Sequence, residues 1–204
     1  MHRLQNSNPI SYDSMIIIYY CFNIRNHRII EYTDKSHTLT EFLIKKNVEI
    51  VVPSFLIEEI RRKNIIEMIT NFVSSSQITN VPKNPNFAFK LGLEIKFKQK
   101  LNNLLKKEWF TVVDYIPPAE LLKPLKRFFK ELIHHPKFDE FTKKKKRDTT
   151  IPSFEDLSLM AFSKDKKQPI ISNDNDLTFF ADELFEKNLT DKIFNFNDLD
   201  IYNN

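Results

Sequence analysis

The chain contains very little glycine and cysteine. A single glycine, Gly92, occurs in 204 residues. Walker-type and dinucleotide-type phosphate loops are therefore excluded, because they need several glycines for close backbone approach. The single cysteine, Cys21, excludes an internal disulfide framework and a cysteine-ligated zinc site. The shortage of glycine excludes most nucleotide-binding protein classes. The shortage of cysteine is typical of a protein in a reducing compartment.

Long apolar runs are also absent. The longest covers the eight residues from Met15 to Phe22, whereas a membrane-spanning helix needs roughly 20. Nothing at the N-terminus resembles a signal peptide. We therefore expect a soluble cytoplasmic protein with no membrane partner.

The composition that remains is that of one globular domain with a mild basic bias. Hydrophobic residues make up 41% of the chain, enough for one substantial core and more typical of one domain with an insertion than of two domains. Lys and Arg outnumber Asp and Glu by 31 to 27. This excess is compatible with an anionic partner without requiring one.

The most informative stretch lies near the C-terminal end, from Pro169 to Leu177. A short β-branched strand runs into Asp174 and Asp176, and an apolar helix to about Leu184 is predicted to follow. Open parallel α/β sheets bind ligands in the crevice beyond the carboxyl ends of their strands. Carboxylates that converge there repel each other unless a cation or a proton compensates their charge.

Three earlier acids occupy comparable positions. Asp13 ends a short strand, and Glu58 or Glu59 lies on a helix that follows a buried strand at 48–53. Asp156 lies in the first turn of a helix that Ser153 caps. Taken singly, Asp156 there is explained by a favourable interaction with the helix dipole.

Further helix starts are predicted from capping residues. Ser54 is expected to cap a helix that continues to about Phe72. Thr38 or Thr40 is expected to cap a shorter helix that ends near Lys46.

Alternating strands and helices predict a parallel α/β sheet, and right-handed crossovers place all strand C-termini on one edge. The four acid positions can then share one pocket. Hard oxygen ligands without Cys or His select magnesium or manganese. A pair of such ions activates a water and stabilises the leaving oxygen in phosphodiester cleavage.

The chain between about residues 80 and 150 is rich in lysine and predicts a mainly helical insertion. A strand is possible at 110–115 and a helix at 119–134. The densest charge run follows, and it indicates either a solvated loop or a phosphate-contacting patch. Its residues are Lys143, Lys144, Lys145, Lys146 and Arg147.

The order of the four acidic motifs resembles the PIN domain nucleases, which include the toxin ribonucleases of toxin–antitoxin pairs and RNA-processing nucleases of archaea and eukaryotes. The similarity covers about residues 9–72 and 151–200. Residues 10–16 match the opening strand, acid and hydroxyl residue of the family, except that Met15 stands where a polar residue is usual. Taken alone, 15–22 is compatible with a strand or a helix; the resemblance favours the helix.

The resemblance implies a PIN-like three-layer α/β/α fold, with a central parallel sheet flanked by helices, in one domain over 1–204 that includes the 80–150 insertion. It implies an endoribonuclease that cleaves single-stranded or structured RNA by water activation with two Mg²⁺ or Mn²⁺ ions. The implied catalytic residues and metal ligands are Asp13, Glu59 (with Glu58 as the alternative), Asp156 and Asp174, with Asp176 as an accessory acid and Ser14 and Ser172 as supporting hydroxyls.

The insertion would then supply phosphate contacts to RNA. The resemblance also implies an antitoxin or another protein partner, and members of the family often form homodimers. One alternative is a catalytically silent PIN-like module that binds RNA or protein. A second is a haloacid dehalogenase-type phosphatase with Asp174 as nucleophile and Asp176 as acid/base, although that motif normally lies near the start of a chain.

Overall fold

The computed structural model describes residues 8–22, 27–64, 87–145 and 151–203. The strands are β1 (Ser11–Tyr12), β2 (Ile50–Pro53), β3 (Phe110–Val113), β4 (Ile170–Ser172) and β5 (Ile193–Asn195). The helices are α1 (Ser14–Cys21), α2 (His27–Lys45), α3 (Ser54–Arg62), α4 (Phe87–Leu104), α5 (Ala119–Glu131), α6 (Phe138–Lys145), α7 (Phe154–Lys166), α8 (Asn175–Thr178) and α9 (Ala181–Glu186), and 3-10 turns lie at Leu132–His134, Phe196–Asp198 and Asp200–Asn203.

The five strands within the described residues all pair in parallel. One sheet has the order β1-β4-β5 and the other pairs β2 with β3. A parallel bridge between Ile10 and Ile50 joins the two, so the strands follow the order β3-β2-β1-β4-β5. The chain moves outward in one direction from β1 and in the other from β4. The fold is therefore mixed α/β with parallel strands, and its topological switch point lies between β1 and β4.

The first helix forms although its residues favour a strand. Asp13 is its N-cap, and the buried residues Ile16, Ile17 and Ile18 follow within two turns. The helix contacts α2, α3 and α4 as well as β1 and β4. Burial on several sides overrides the low helix propensity of β-branched residues. The helical prediction for this segment is confirmed.

Helices α5 to α8 pack as a second, connected group, whereas α9 packs against β5. In this group α7 contacts α5 and α8, and α8 also contacts α6. Helix α3 contacts both α1 and α7, so it joins the two groups. An ion pair between Arg62 and Glu155, at 3.8 Å, adds a polar contact between α3 and the start of α7.

Helix ends that often use glycine use other residues in this chain. Asn47, Lys167 and Asn188 have φ values of 53°, 52° and 58°. These residues follow α2, α7 and α9, where a left-handed residue lets the last carbonyls be satisfied. Asparagine tolerates this conformation better than most residues, so two of the three positions carry the preferred substitute for glycine.

Two predicted helix starts are wrong. Thr38 and Thr40 lie inside α2, and the Thr40 hydroxyl donates to the Ser36 carbonyl at 2.7 Å. Small polar residues on the buried face of this helix conceal its periodicity. Ser54 is the first residue of α3, whereas Pro53 is the N-cap and no side-chain cap bond forms. Helix α3 ends at Arg62, and most of the extension predicted to Phe72 lies outside the described residues.

The predicted helix from Leu177 to Leu184 is interrupted. Helix α8 ends at Thr178, and α9 begins at Ala181. Between them, the rings of Phe179 and Phe180 both pack against Phe141 of α6, with centroids 5.3 and 5.1 Å away. Packing of both rings against Phe141 explains the break, and Phe180 is fully buried there.

The predicted insertion contributes to the sheet. Strand β3 pairs with β2 from Phe110 to Val113, and β5 lies at the opposite end of the strand order. Residues 80–86 and 146–150 lie outside the described part, and a separate insertion stays a prediction. Within the described residues, no helix has both the length and the apolar character needed to cross a membrane.

Candidate active site

Asp13 lies at the carboxyl end of β1, beside the switch point. Its backbone N–H donates to the carbonyl of Ile171 at 3.0 Å, which holds it against β4. Its side chain is 4% exposed, and its Oδ2 accepts a 2.7 Å hydrogen bond from the Ser172 hydroxyl. Burial raises the pKa of Asp13 to about 6, although the Ser172 hydroxyl opposes the shift and the neighbouring Asp174 adds to it.

The loop after β4 is fixed by side-chain hydrogen bonds. The Ser172 Oγ accepts from the backbone N–H of Asp174 at 2.9 Å, and the Asp174 Oδ1 accepts from the N–H of Asp176 at 2.8 Å. Asn173 donates to the Tyr19 hydroxyl at 3.2 Å. Asp174 thus caps α8, and Asp176 is buried directly behind it. Ser172 contacts both Asp13 and Asp174, so it aligns the two strand ends.

Asp156 approaches from the start of α7. It forms a capping box with Ser153, whose hydroxyl accepts from the Asp156 N–H at 3.1 Å and donates to its Oδ2 at 2.7 Å. Burial raises the pKa of Asp156 to about 7. The hydrogen bond from Ser153 opposes this rise, and repulsion from Asp13, Asp174 and Asp176 contributes to it. Capping explains why an acid stands here, but it does not explain three more carboxylates beside it.

Helix α3 brings a carboxylate together with a cation. Glu59 is ion-paired with Lys63, with 2.7 Å between Oε1 and Nζ. The same ammonium donates to the Ser14 hydroxyl at 3.0 Å. The charges of Glu59 and Lys63 act on Asp13 in opposite directions, one raising its pKa and the other lowering it. Glu58 is exposed to solvent, so Glu59 is the acid of this helix that faces the others.

The predicted acids therefore converge, and the structure adds residues that the motifs did not include. Asp13, Glu59 and Asp174 come from three different elements, and the Asp156 carboxylate completes the cluster. Lys63 was missed, although its position four residues after Glu59 is the spacing of an ion pair on one helix face. Asn173 and Tyr19 carried no comparable signal, because their contact joins residues 154 positions apart.

The described part of the basic run belongs to α6, a helix that contacts α8. Lys143 is exposed, and 143–145 belong to α6, so the loop interpretation is wrong for this part. The Phe141 ring of α6 packs on Phe179, just after α8. Lys146 and Arg147 lie outside the described residues.

The chemical type of the side-chain atoms in the acidic cluster suits a hard divalent cation. All are oxygen atoms, and burying several carboxylates together is unfavourable unless positive charge compensates them. However, among the residues that the structure describes, no group of three or more His, Cys, Asp or Glu side chains is arranged to hold one metal ion. The cluster therefore matches such an ion in chemistry and charge, but its carboxylates do not form a finished coordination shell.

Comparisons with known proteins add little to this geometry. No protein-family model matches the chain, and no curated protein matches it in sequence. The fold is similar to a chain in the crystal structure of VapBC2 from Rickettsia felis bound to a DNA fragment from their promoter, with a TM-score of 0.44 and 13% identity over 91% of this chain and 97% of that chain. A likeness this weak decides neither the fold family nor the function.

Proposed function

We propose that the protein is a PIN-like, Mg²⁺- or Mn²⁺-dependent endoribonuclease. The observation that carries the proposal is the set of carboxylates at the switch point, two of which have a raised pKa. Helix capping explains Asp13, Asp156 and Asp174 one at a time. It does not explain why these acids and Asp176 lie close enough to repel each other, which lowers stability. Such an arrangement is typical of sites that bind cations or handle protons.

The chain's own residues would orient the reacting groups. Ser172 holds one oxygen of Asp13, and Ser153 holds one oxygen of Asp156. Carboxylates held in this way can orient a water molecule for attack on a phosphodiester and accept its proton. Two carboxylates with a pKa of about 6 and 7 exchange protons near neutral pH, which suits this role.

Asp13, Glu59, Asp156, Asp174 and Asp176 would hold the divalent cations. When bound, such cations lower the pKa of water and neutralise charge on the phosphate oxygens. Binding would require Asp13 and Asp156 to lose their protons, so affinity should increase as the pH rises through 6 to 7. Ser14 would then act indirectly, through its hydrogen bond from Lys63.

A second candidate is a silent PIN-like module that binds RNA or protein without cutting. The ion pair between Lys63 and Glu59 favours it, because an ammonium beside the acids can compensate part of their charge without a metal. The absence of a three-donor cluster among the described residues favours it as well. The two candidates differ in whether a metal is needed.

Cleavage assays distinguish these candidates. Labelled single-stranded and structured RNA would be incubated with the full chain and Mn²⁺, Mg²⁺ or EDTA. The variants would be Asp13→Asn and Asp174→Asn, with the exposed Asp198→Asn as control. We expect metal-dependent cutting that both site variants abolish and the control retains.

Other results would replace the proposal. RNA binding without cutting, unchanged in both site variants, would support the silent module. Release of phosphate from a monoester, lost in Asp174→Asn, would support the phosphatase alternative. An antitoxin or other protein partner, a homodimer, a cytoplasmic location and phosphate contacts from 143–147 stay predictions.

A further inference from the structure

A groove lies between α3 and α4, beside the acidic cluster. Its cavity volume is about 380 Å³, within the size range of small-molecule sites. Its lining includes the buried apolar side chains of Ile60 and Phe97. The groove therefore offers apolar contact together with charged walls.

The charged groups of the lining are mostly cationic. The lining contains three cationic side chains, those of Arg61, Lys63 and Lys98, and one carboxylate, that of Glu94. Glu94 is ion-paired with Lys98 at 2.5 Å, four residues apart on α4. Lys63 is also paired with Glu59, at 2.7 Å, so three positive groups stand against two carboxylates. The remaining net positive charge favours an anionic ligand.

Lys63 places this groove next to the acids. It lines the groove and also contacts Glu59 and Ser14 through its ammonium. Lys63 is therefore shared between the lining of the groove and the acidic cluster. A polyanion in the groove would have its next unit near these acids.

We propose that this groove binds one nucleotide of a single-stranded RNA, next to the phosphate that is cut. The inference rests on the proposed nuclease function and names the substrate subsite. The phosphate would contact Arg61 and Lys98, and the base would lie against the apolar wall that includes Phe97. Proteins commonly bind single strands in this way, with cations along the backbone and apolar or aromatic contacts to splayed bases.

The size of the groove favours a single strand over a duplex. A cavity of this volume accepts one nucleotide with its base turned inward, whereas a duplex keeps its bases paired and presents only its backbone. Binding should therefore fall when the same strand is annealed to its complement.

The test measures binding without cleavage. A short fluorescent single-stranded oligoribonucleotide would be titrated with the full chain in EDTA, in the Asp13→Asn background, and followed by anisotropy. The groove variant combines Arg61→Ala with Lys98→Ala. The matched control combines Lys123→Ala with Lys126→Ala, two exposed lysines of α5.

We expect the groove variant to bind about tenfold more weakly and to reduce the magnitude of the slope of log K against log salt by about 0.7, since it loses one phosphate contact on a single strand. The control should bind as the background protein does. Glu94→Gln should tighten binding about two- to threefold, because it removes the carboxylate of the groove. That increase cannot result from unfolding.

Three results would overturn the proposal: unchanged binding in the groove variant, an equal loss in the control, or weaker binding in Glu94→Gln. Equal affinity for single-stranded DNA of the same sequence would overturn the assignment to RNA. Because binding is measured without divalent cations, failure of wild-type cleavage would overturn the nuclease function alone. If the wild type cleaves RNA and the groove variant binds RNA as well as the background protein does, only this subsite would be overturned.

Discussion

Two buried polar clusters include residues two positions apart in the chain, Ser11 of β1 and Asp13 directly after it. In the first, Gln168 Nε2 donates to the Ser11 hydroxyl at 2.8 Å and to the Val51 carbonyl at 2.7 Å, and Ser11 donates to that carbonyl at 2.6 Å. In the second, the Ser172 hydroxyl donates to the carboxylate of Asp13. Both clusters connect β1 to its neighbours, but only the second contains a charge.

The difference separates scaffold from candidate chemistry. The neutral cluster satisfies its donors and extends the contact between β1 and β2 beyond the Ile10 bridge. In the charged cluster, burial raises the pKa of Asp13, and the nearby carboxylates of Asp174 and Glu59 add to the rise. A neutral, satisfied cluster stabilises a fold, whereas a buried carboxylate beside other acids destabilises it at neutral pH. Four substitutions test this contrast, from the largest expected effect to the smallest.

The largest effect is expected from Gln168→Ala. The change removes both donors to Ser11 and Val51 and leaves a void where a fully buried side chain stood. We expect the free energy of unfolding to fall by about 2–4 kcal/mol, with little dependence on pH. Urea denaturation at pH 5 and pH 8 measures both quantities. Gln99→Ala, on the exposed side of α4, should change stability by less than about 0.5 kcal/mol.

Asp13→Asn should instead increase the free energy of unfolding. In the folded state the pKa of Asp13 is about 6, above its ordinary 3.8. The folded protein therefore has its full stability below pH 4, where Asp13 is protonated, and loses part of it as the pH rises through 6 and Asp13 ionises. Asparagine has no such loss and caps a helix equally well. The variant should match wild type near pH 4 and exceed it at pH 8 by an amount of the order of 3 kcal/mol.

Thermal unfolding in EDTA from pH 4 to 8 measures that difference. Asp198→Asn, at an exposed position, is the control and should follow the wild-type curve. A variant that is less stable than wild type at pH 8 would contradict the assignment of Asp13 to an unfavourable environment.

Ser172→Ala should give a smaller, pH-dependent loss. The hydroxyl lowers the pKa of Asp13 by donating to its ionised form. Its removal should cost about 1–2 kcal/mol above pH 7 and less near pH 4. The control is Ser163→Ala, because Ser163 is also buried and makes two hydrogen bonds, to the Gln168 carbonyl and from the Asp191 N–H. The stability lost in Ser163→Ala should be the same above pH 7 and near pH 4.

The smallest effect is expected at a helix start. Ser153→Ala removes the capping box of α7 and should cost about 1 kcal/mol. Ser54→Ala is the matched comparison, because the structure shows no side-chain cap bond at the start of α3, and it should cost less than about 0.5 kcal/mol. Chemical denaturation of both variants measures these values. Equal losses would show that Ser54 has a capping role in solution.

Much of the fold was predictable where local signals agree. Ser153 followed three residues later by Asp156 is a capping pattern, and α7 begins there. The β-branched residues before Ser172 predicted β4 correctly. The segment from Met15 to Phe22 was different, because an all-apolar run has no periodicity and residue pattern alone left strand and helix equally open. The family resemblance favoured the helix, and burial against several elements explains why it forms.

The candidate site was predictable in its acids and not in its contacts. Asp13 and Asp174 follow strands in the sequence, and parallel pairing brings strand ends together. The roles of Lys63 and Asn173 depend on side chains from distant parts of the chain that meet only after folding. The same is true of the groove between α3 and α4.

The sequence by itself determined the kinds of groups available: hard oxygen donors, one glycine, one cysteine, and acids placed after strands. Only the tertiary structure decided their protonation and their partners. The pKa of Asp13 and of Asp156 rises because packing removes water from both and places other carboxylates nearby. Those effects depend on distances and burial in the folded protein, which cannot be read from the local sequence around each residue.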